Sequence, residues 1–431
     1  MNLLITGASV IPMTDGAVLA DTDIAVSDGK IAAIGEIPQG MTFDRTIDGR
    51  GFVVMPALIN THVHSPMGFL RGCGEGLPLQ RWLNEKVFPA EDKLTEQDMY
   101  TLTLLGIAEM VSTGTGLFND MYFFTHKSAE AVIDAKTRAC LTYCATDIGN
   151  NVEDITTLRA VQNNRRLFAD YHGYDDDRIR VSVSPHAIYT CSERLLRFCA
   201  EEAARLDTFV YTHLSETVGE NADCLTARGV TPTAYLNNIG FFDVPATLAH
   251  CVHLSDEDRA ILAEHGASVA TCPESNLKLG SGICEADKLF ANGINVAIGT
   301  DGASSNNNLN MFEEMHLFSL LLKGVRQDAS LLSPEQVLQC ATINGARAMG
   351  LAHRTGTLEV GKDADLILVD TQKPHMSPIH NLCSNLVYAA QGSDVHLTMV
   401  KGEILYENGQ WLTIDVERVK HDTAAICDRI F

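Results

Sequence analysis

Eight short apolar runs, each ending in a polar residue and separated by helical stretches, constrain this chain more than any other feature of it. They are Ala57 to His64, Thr115 to Asp120, Ala139 to Asp147, Val181 to His186, Phe209 to His213, Thr247 to His250, Ser268 to Cys272 and Val296 to Asp301. Asp98 to Val111 and Glu193 to Arg205 are examples of the helical stretches. Such alternation reads as βα units. Eight units predict an α/β fold with a closed (β/α)8 TIM barrel. The alternative, an open doubly wound sheet, has fewer strands as a rule and a glycine-rich phosphate turn after its first strand. Gly72, Gly74 and Gly76 imitate that turn only weakly, because they follow a His-x-His pair rather than open a helix.

Both chain ends read as short strands instead. Leu3 to Ile5, Asp23 to Val26 and Lys30 to Ile34 precede the barrel; Leu366 to Val369, Leu397 to Lys401 and Glu403 to Tyr406 follow it. Neither set can bury a core alone, so the two are expected to combine into one small β-sandwich. The expected division is residues 1–56 for the first part of the sandwich, 57–354 for the barrel and 355–431 for the rest of the sandwich.

Charge and composition exclude several classes of function. With 32 Lys+Arg against 55 Asp+Glu, the formal charge is −23 over 431 residues, and such a surface repels nucleic acid. No apolar stretch approaches the ~18–20 residues of a membrane span. Met1 to Ile11 lacks the basic start and cleavage site of a signal peptide, so a cytoplasmic location and no membrane partner are expected. Twelve cysteines are scattered from Cys73 to Cys427 without a CxxC pair, which reads as reduced, mostly buried thiols. Homo-oligomers are common for this architecture, and self-association is expected only on that ground.

The run ends carry the chemistry. His62 and His64, His213, His250 and Asp301 stand at four of them. Side chains two apart in a strand point the same way, so His62 and His64 can share one ion. One histidine at a strand end is most simply a satisfied core residue. Coincidence at four ends is a different matter, because the C-terminal rim of a barrel is where sites are built and polar groups there are costly to bury unpaired. His62, His64, His213 and Asp301 offer three imidazoles and a carboxylate, a set that suits one divalent ion, Zn²⁺ ahead of Fe²⁺ or Mn²⁺. The fourth run ends Ser184-Pro185-His186 with no lysine to bridge a second ion. Glu216, three residues beyond His213, can be an exposed loop acid; the company of His213 makes a proton shuttle the better reading. His250 is placed to orient the attacking water, and His253 reads as structural. Neither a Gly-x-Ser-x-Gly elbow nor a well-placed cysteine supports covalent catalysis.

The segments Pro56-Ala57-Leu58-Ile59-Asn60-Thr61-His62-Val63-His64, Thr212-His213-Leu214-Ser215-Glu216, Ala249-His250-Cys251-Val252-His253 and Gly299-Thr300-Asp301-Gly302-Ala303-Ser304-Ser305-Asn306-Asn307 resemble the amidohydrolase superfamily. Within it the chain is most similar to the 5′-methylthioadenosine/S-adenosylhomocysteine deaminase family. The resemblance implies metal at His62, His64, His213 and Asp301, and proton transfer by Glu216 with His250 and Asp301. It also implies a small-molecule nucleoside substrate touched by Glu216 and Asp301, with Glu91 as acceptor for the ribose hydroxyls and His186 as a further substrate contact. Glu91 would otherwise pass for a surface acid. The implied reaction is hydrolysis of the adenine amine of 5′-methylthioadenosine, S-adenosylhomocysteine, adenosine or a related nucleoside; the alternative is attack on another aminated or chlorinated ring, of guanine or triazine type. Arg159, Arg165 and Arg166 all compete for contact with the 5′ substituent. The stretch Val218 to Val244 is longer than the family leads one to expect and is a candidate for reshaping the rim.

Overall fold

Continuous apolar runs can be buried on both faces, and here they form parallel strands. A computed structural model of the chain describes residues 2–14, 16–147, 149 and 152–431; Met1, where the amino-terminal reading begins, lies outside them. Among the described residues the barrel strands are Leu58–Val63, Thr115–Tyr122, Arg138–Tyr143, Ile179–Val181, Val210–Leu214, Ala246–His250, Ser268–Thr271 and Asn295–Ile298. They pair in two parallel stretches of four. A bridge between Val183 and Val210 joins the stretches on one side. On the other the ring closes where the Asp301 amide donates to the His62 carbonyl at 2.9 Å. That closure brings the first and eighth strand ends together.

Each predicted run carries a strand, though the ends differ. The first strand stops at Val63, and His64 stands one residue beyond it, opening the 3-10 turn Ser65–Leu70. The fourth is shortest, so Ser184 to His186 continue it as extended chain held by an Ala145–Pro185 bridge. Several of the helices between strands start on side-chain caps; Ser192, for instance, accepts from the Leu195 amide at the head of Glu193–Leu206. The long stretch after the fifth strand folds into the helices Val218–Arg228 and Pro232–Asn238.

The chain ends meet in one sheet of nine strands among the described residues. Its join is the strand Phe52–Pro56, which pairs with Leu366–Asp370 on one side and touches Ser9 and Val10 on the other. Leu3, Ile5, Ile24, Val54, Leu366 and Leu397 form a core of its own. Arg138, fully buried, ties this sheet to the barrel through Asp363 at 2.7 Å and Asp365 at 3.1 Å. The carboxyl-terminal β reading missed one element: the chain ends in the helix Val416–Ile430, which packs across Glu96–Ser112. All twelve cysteines are unpaired, nine of them buried. No helix among the described residues is long and apolar enough to cross a membrane.

Candidate active site

The strand ends deliver the polar residues to one spot at the barrel mouth. Nitrogens of His62, His213 and His250 lie within 4.8 Å of one another, and so do those of His62 and His64 with an oxygen of Asp301. Asp301 Oδ1 is 3.4 Å from His62 Nε2 and 3.2 Å from His64 Nε2. Close approach of the first and eighth strands requires Gly299, where a Cβ would lie 2.6 Å from the His62 nitrogen. Ser215, His250, Cys251 and Asp301 all have positive φ, from 49° to 69°. Such backbone strain persists only where surrounding structure holds it, and it clusters at working sites.

Each imidazole is held from behind. The carbonyls of Met121 and His186 can only accept, so Nδ1–H is the proton that His64 (2.5 Å) and His213 (2.8 Å) donate to them. His250 Nδ1 meets Asn276 Oδ1 at 2.8 Å, and His62 Nδ1 meets the Tyr211 hydroxyl. Locked in this way, the Nε2 atoms face inward. The buried Nε2 of His62 has no hydrogen-bond partner, an omission worth ~1–3 kcal/mol unless something takes it. Burial lowers the His62 imidazole to about 3, which keeps it neutral and able to ligate. Burial also pulls His64 down, but the hydrogen bond and charge of Asp301 more than reverse this, to about 9. A cation seated here therefore displaces a proton. Burial acts against Asp301 as an anion, yet its histidine neighbours hold it well below the usual carboxylate range. Ser275 and Ser305 hydroxyls donate to its Oδ2 at 2.6 and 2.8 Å. The donor set and the orphaned nitrogen fit a divalent metal ion.

Above this floor opens a cavity of about 390 Å³, lined also by Glu91, His186, Glu216 and Arg159. Its roof is apolar: Leu79, Trp82, Leu83, Val87 and Phe88, from three consecutive short helical turns, Leu79–Trp82, Leu83–Val87 and Phe88–Glu91. The middle one is a π-type turn, a distortion common at functional sites. Glu91 accepts from the Tyr122 hydroxyl at 2.5 Å. Burial lifts the Glu91 carboxyl to about 7, although that hydrogen bond pulls the other way. Burial likewise raises Glu216, whose Oε2 is 3.9 Å from His250 Nε2. Burial lowers His186 to about 4, and Thr190 Oγ1 holds its Nδ1 at 2.9 Å.

The structure separates the three arginines. Arg159 stands at the cavity edge against the Phe124 ring, 5.4 Å away. Arg165 pairs with Glu202 at 2.6 Å and Arg166 with Asp170 at 3.5 Å, both outside the cavity. Sequence reading missed Tyr122 and Tyr211, which hold a site residue each, and Cys144, which lines the wall as a thiol kept protonated by burial. An alternating strand pattern could have placed Tyr211 on the same face as His213, and nothing local marks Tyr122.

Comparison with known proteins gives four relevant likenesses. A family model described as the amidohydrolase family matches residues 53–405. The chain is 43% identical over 421 residues, 97% of either chain, to the 5-methylthioadenosine/S-adenosylhomocysteine deaminase of Moorella thermoacetica. An adenosine deaminase from Xanthomonas campestris, solved with bound zinc, shares the fold with a TM-score of 0.93 and 34% identity, over 99% of this chain and 98% of that one. An atrazine chlorohydrolase from Arthrobacter aurescens TC1 complexed with zinc gives 0.91 at 25% identity, over 99% of this chain and 100% of its own.

Proposed function

The chain belongs to the amidohydrolase family, and from that premise we propose that it is a hydrolytic deaminase of the adenine ring. Its substrates are 5′-methylthioadenosine, S-adenosylhomocysteine, adenosine or related 5′-modified adenosines, and its products the inosine analogue and ammonia. One observation carries the choice of a nucleoside: Glu91, a carboxyl already oriented by Tyr122, lines the same cavity as Glu216 and Asp301. A free base or a triazine has no sugar hydroxyls to give it, so that alternative leaves a half-buried carboxyl without purpose.

His62, His64, His213 and Asp301 hold the ion, which we take to be a single Zn²⁺ from the donor set. When bound, such an ion makes a water nucleophilic near neutral pH. Glu216, whose proton burial holds more tightly than usual, donates it to a ring nitrogen of adenine and so makes C6 electrophilic. His250 through Nε2, together with Asp301, orients the attacking water and draws off its proton. Asp301 then passes the proton taken from water to the departing amine, and Glu216 recovers a proton from the new C6 hydroxyl as that oxygen becomes the carbonyl. Glu91 and His186 fix the nucleoside, with Glu91 accepting from the ribose hydroxyls. Arg159, at the cavity edge, is the arginine we assign to the 5′ substituent. The same reading places the enzyme in the cytoplasm.

An ammonia-release screen of adenosine, 5′-methylthioadenosine, 5′-deoxyadenosine, S-adenosylhomocysteine, guanine, cytosine and a chlorotriazine tests this. Turnover of the adenosine derivatives is expected. Activity confined to the other rings overturns it.

A further inference from the structure

Two features of the sequence have no part in this mechanism: His253, the second histidine of His250-Cys251-Val252-His253, and Glu220, a buried carboxyl four residues past Glu216. Both converge on Glu216. The Thr217 side chain caps the helix Val218–Arg228 by accepting from the Glu220 amide at 3.1 Å. The Glu220 side chain turns back toward the strand end, where its two oxygens accept from consecutive amides, Ser215 at 3.0 Å and Glu216 at 2.8 Å. Ser215, with φ of 49°, sits in a backbone conformation that a non-glycine residue keeps only when held. Its carbonyl is gripped from the opposite side by the amides of Val252 at 3.1 Å and His253 at 2.9 Å.

His253 reaches further. Its ring donates through Nε2–H to the Ser281 carbonyl at 2.7 Å, and the Ser281 hydroxyl donates to Glu216 Oε1 at 3.3 Å. One oxygen of Glu216 is thus tethered, and the other, Oε2, is the one nearer His250. A buried carboxyl such as Glu220 is costly unless its oxygens find donors. Here the donors are the two amides of the turn that carries Glu216.

We infer that Glu220 and the His253–Ser281 pair are positioning residues that aim the Glu216 carboxyl at the substrate ring. Glu220 sets the backbone from which Glu216 projects, and His253 with Ser281 fixes which oxygen faces the reaction. The inference rests on the acid–base role proposed above for Glu216. Displacement of a reacting group by ~1 Å can cost on the order of 10²-fold in rate.

Double-mutant cycles on the metal-loaded enzyme, with 5′-methylthioadenosine as substrate, separate positioning from general damage. Alone, Glu220→Gln should lower kcat by about tenfold and Ser281→Ala by about three- to tenfold, with KM within about twofold and ion content unchanged. His253→Phe should behave like Ser281→Ala, and His253→Gln, which can still donate to the Ser281 carbonyl, should recover most of the loss. In a Glu216→Gln background each change should cost less than about twofold, because the group it aims is gone. Equal losses in both backgrounds would overturn the inference while leaving the role of Glu216 standing. Near-normal turnover by Glu216→Gln alone would remove that role and the inference with it. Should Glu220→Gln fail to fold, Ser281→Ala decides the matter, since it touches only the carboxyl oxygen.

Discussion

The floor and the roof of the cavity are built on opposite principles. The floor consists of strand ends, and each imidazole on it is pinned through its second nitrogen to a carbonyl, an amide or a buried hydroxyl. The roof consists of short turns between Leu79 and Glu91, apolar toward the cavity apart from the Glu91 carboxyl. It is held from outside by the carboxyl-terminal helix, whose Ile430 carbonyl accepts from Lys93 at 2.6 Å. The difference separates tasks. On the proposed function, the bond-making groups stand at or just beyond the strand ends, and the surface that would select among substrates lies on turns outside the barrel strands.

Breaking the floor should have the largest effect. Asp301→Ala should drop activity to background and reduce the bound ion from about one per chain to well below that, as metal analysis of the purified protein would reveal. Two ions at full occupancy in the unaltered enzyme, both required for activity, would contradict a single-ion floor. Next in size is Glu216→Gln, which should retain the ion and the fold while losing about 10² to 10⁴ in kcat.

The roof should show smaller and more selective effects. Charge-assisted hydrogen bonds donated to a shielded carboxylate are worth ~1.5–3 kcal/mol each. Glu91→Ala should therefore lower kcat/KM by more than about tenfold per bond lost for ribosyl substrates, and leave a 2′,3′-dideoxy substrate nearly unaffected. Equal sensitivity of both would mean that Glu91 does not read the sugar. The smallest effect is one of pH. With its carboxyl lifted to about 7, Glu91 is mostly neutral at pH 6 and mostly ionised at pH 8. Only the ionised form accepts from both hydroxyls, so the ratio of kcat/KM for ribosyl over dideoxy substrate should climb severalfold across that interval. Tyr122→Phe removes a hydrogen bond that favours the ionised form, and should move the climb to higher pH. A ratio flat with pH in both proteins would break the link between Glu91 ionisation and sugar recognition.

Much of the floor was legible in the chain, and little of the roof. A strand has a period of two, and a barrel has one functional rim, so polar residues closing apolar runs must gather there; His62, His213, His250 and Asp301 do. The roof has no such rule. Glu91 stood out only through resemblance, because its partner Tyr122 lies 31 residues away on a strand end. Three candidate arginines looked alike until Arg165 and Arg166 were found paired outward.

Local chemistry was enough to specify eight βα units, the closed sheet they imply and the residue types that can hold an ion. It could not specify what stands behind each of those residues. Tyr211 meets His62 across 149 residues of sequence, and Ser281 meets Glu216 across 65. Periodicity tells which way a side chain points along its own element and carries no information about the element opposite. Which nitrogen of a histidine is tied back, which carboxyl is shielded from water and which of its oxygens is tethered were decided when the barrel closed and water was excluded. Only then do burial and a particular neighbour act on the same atom.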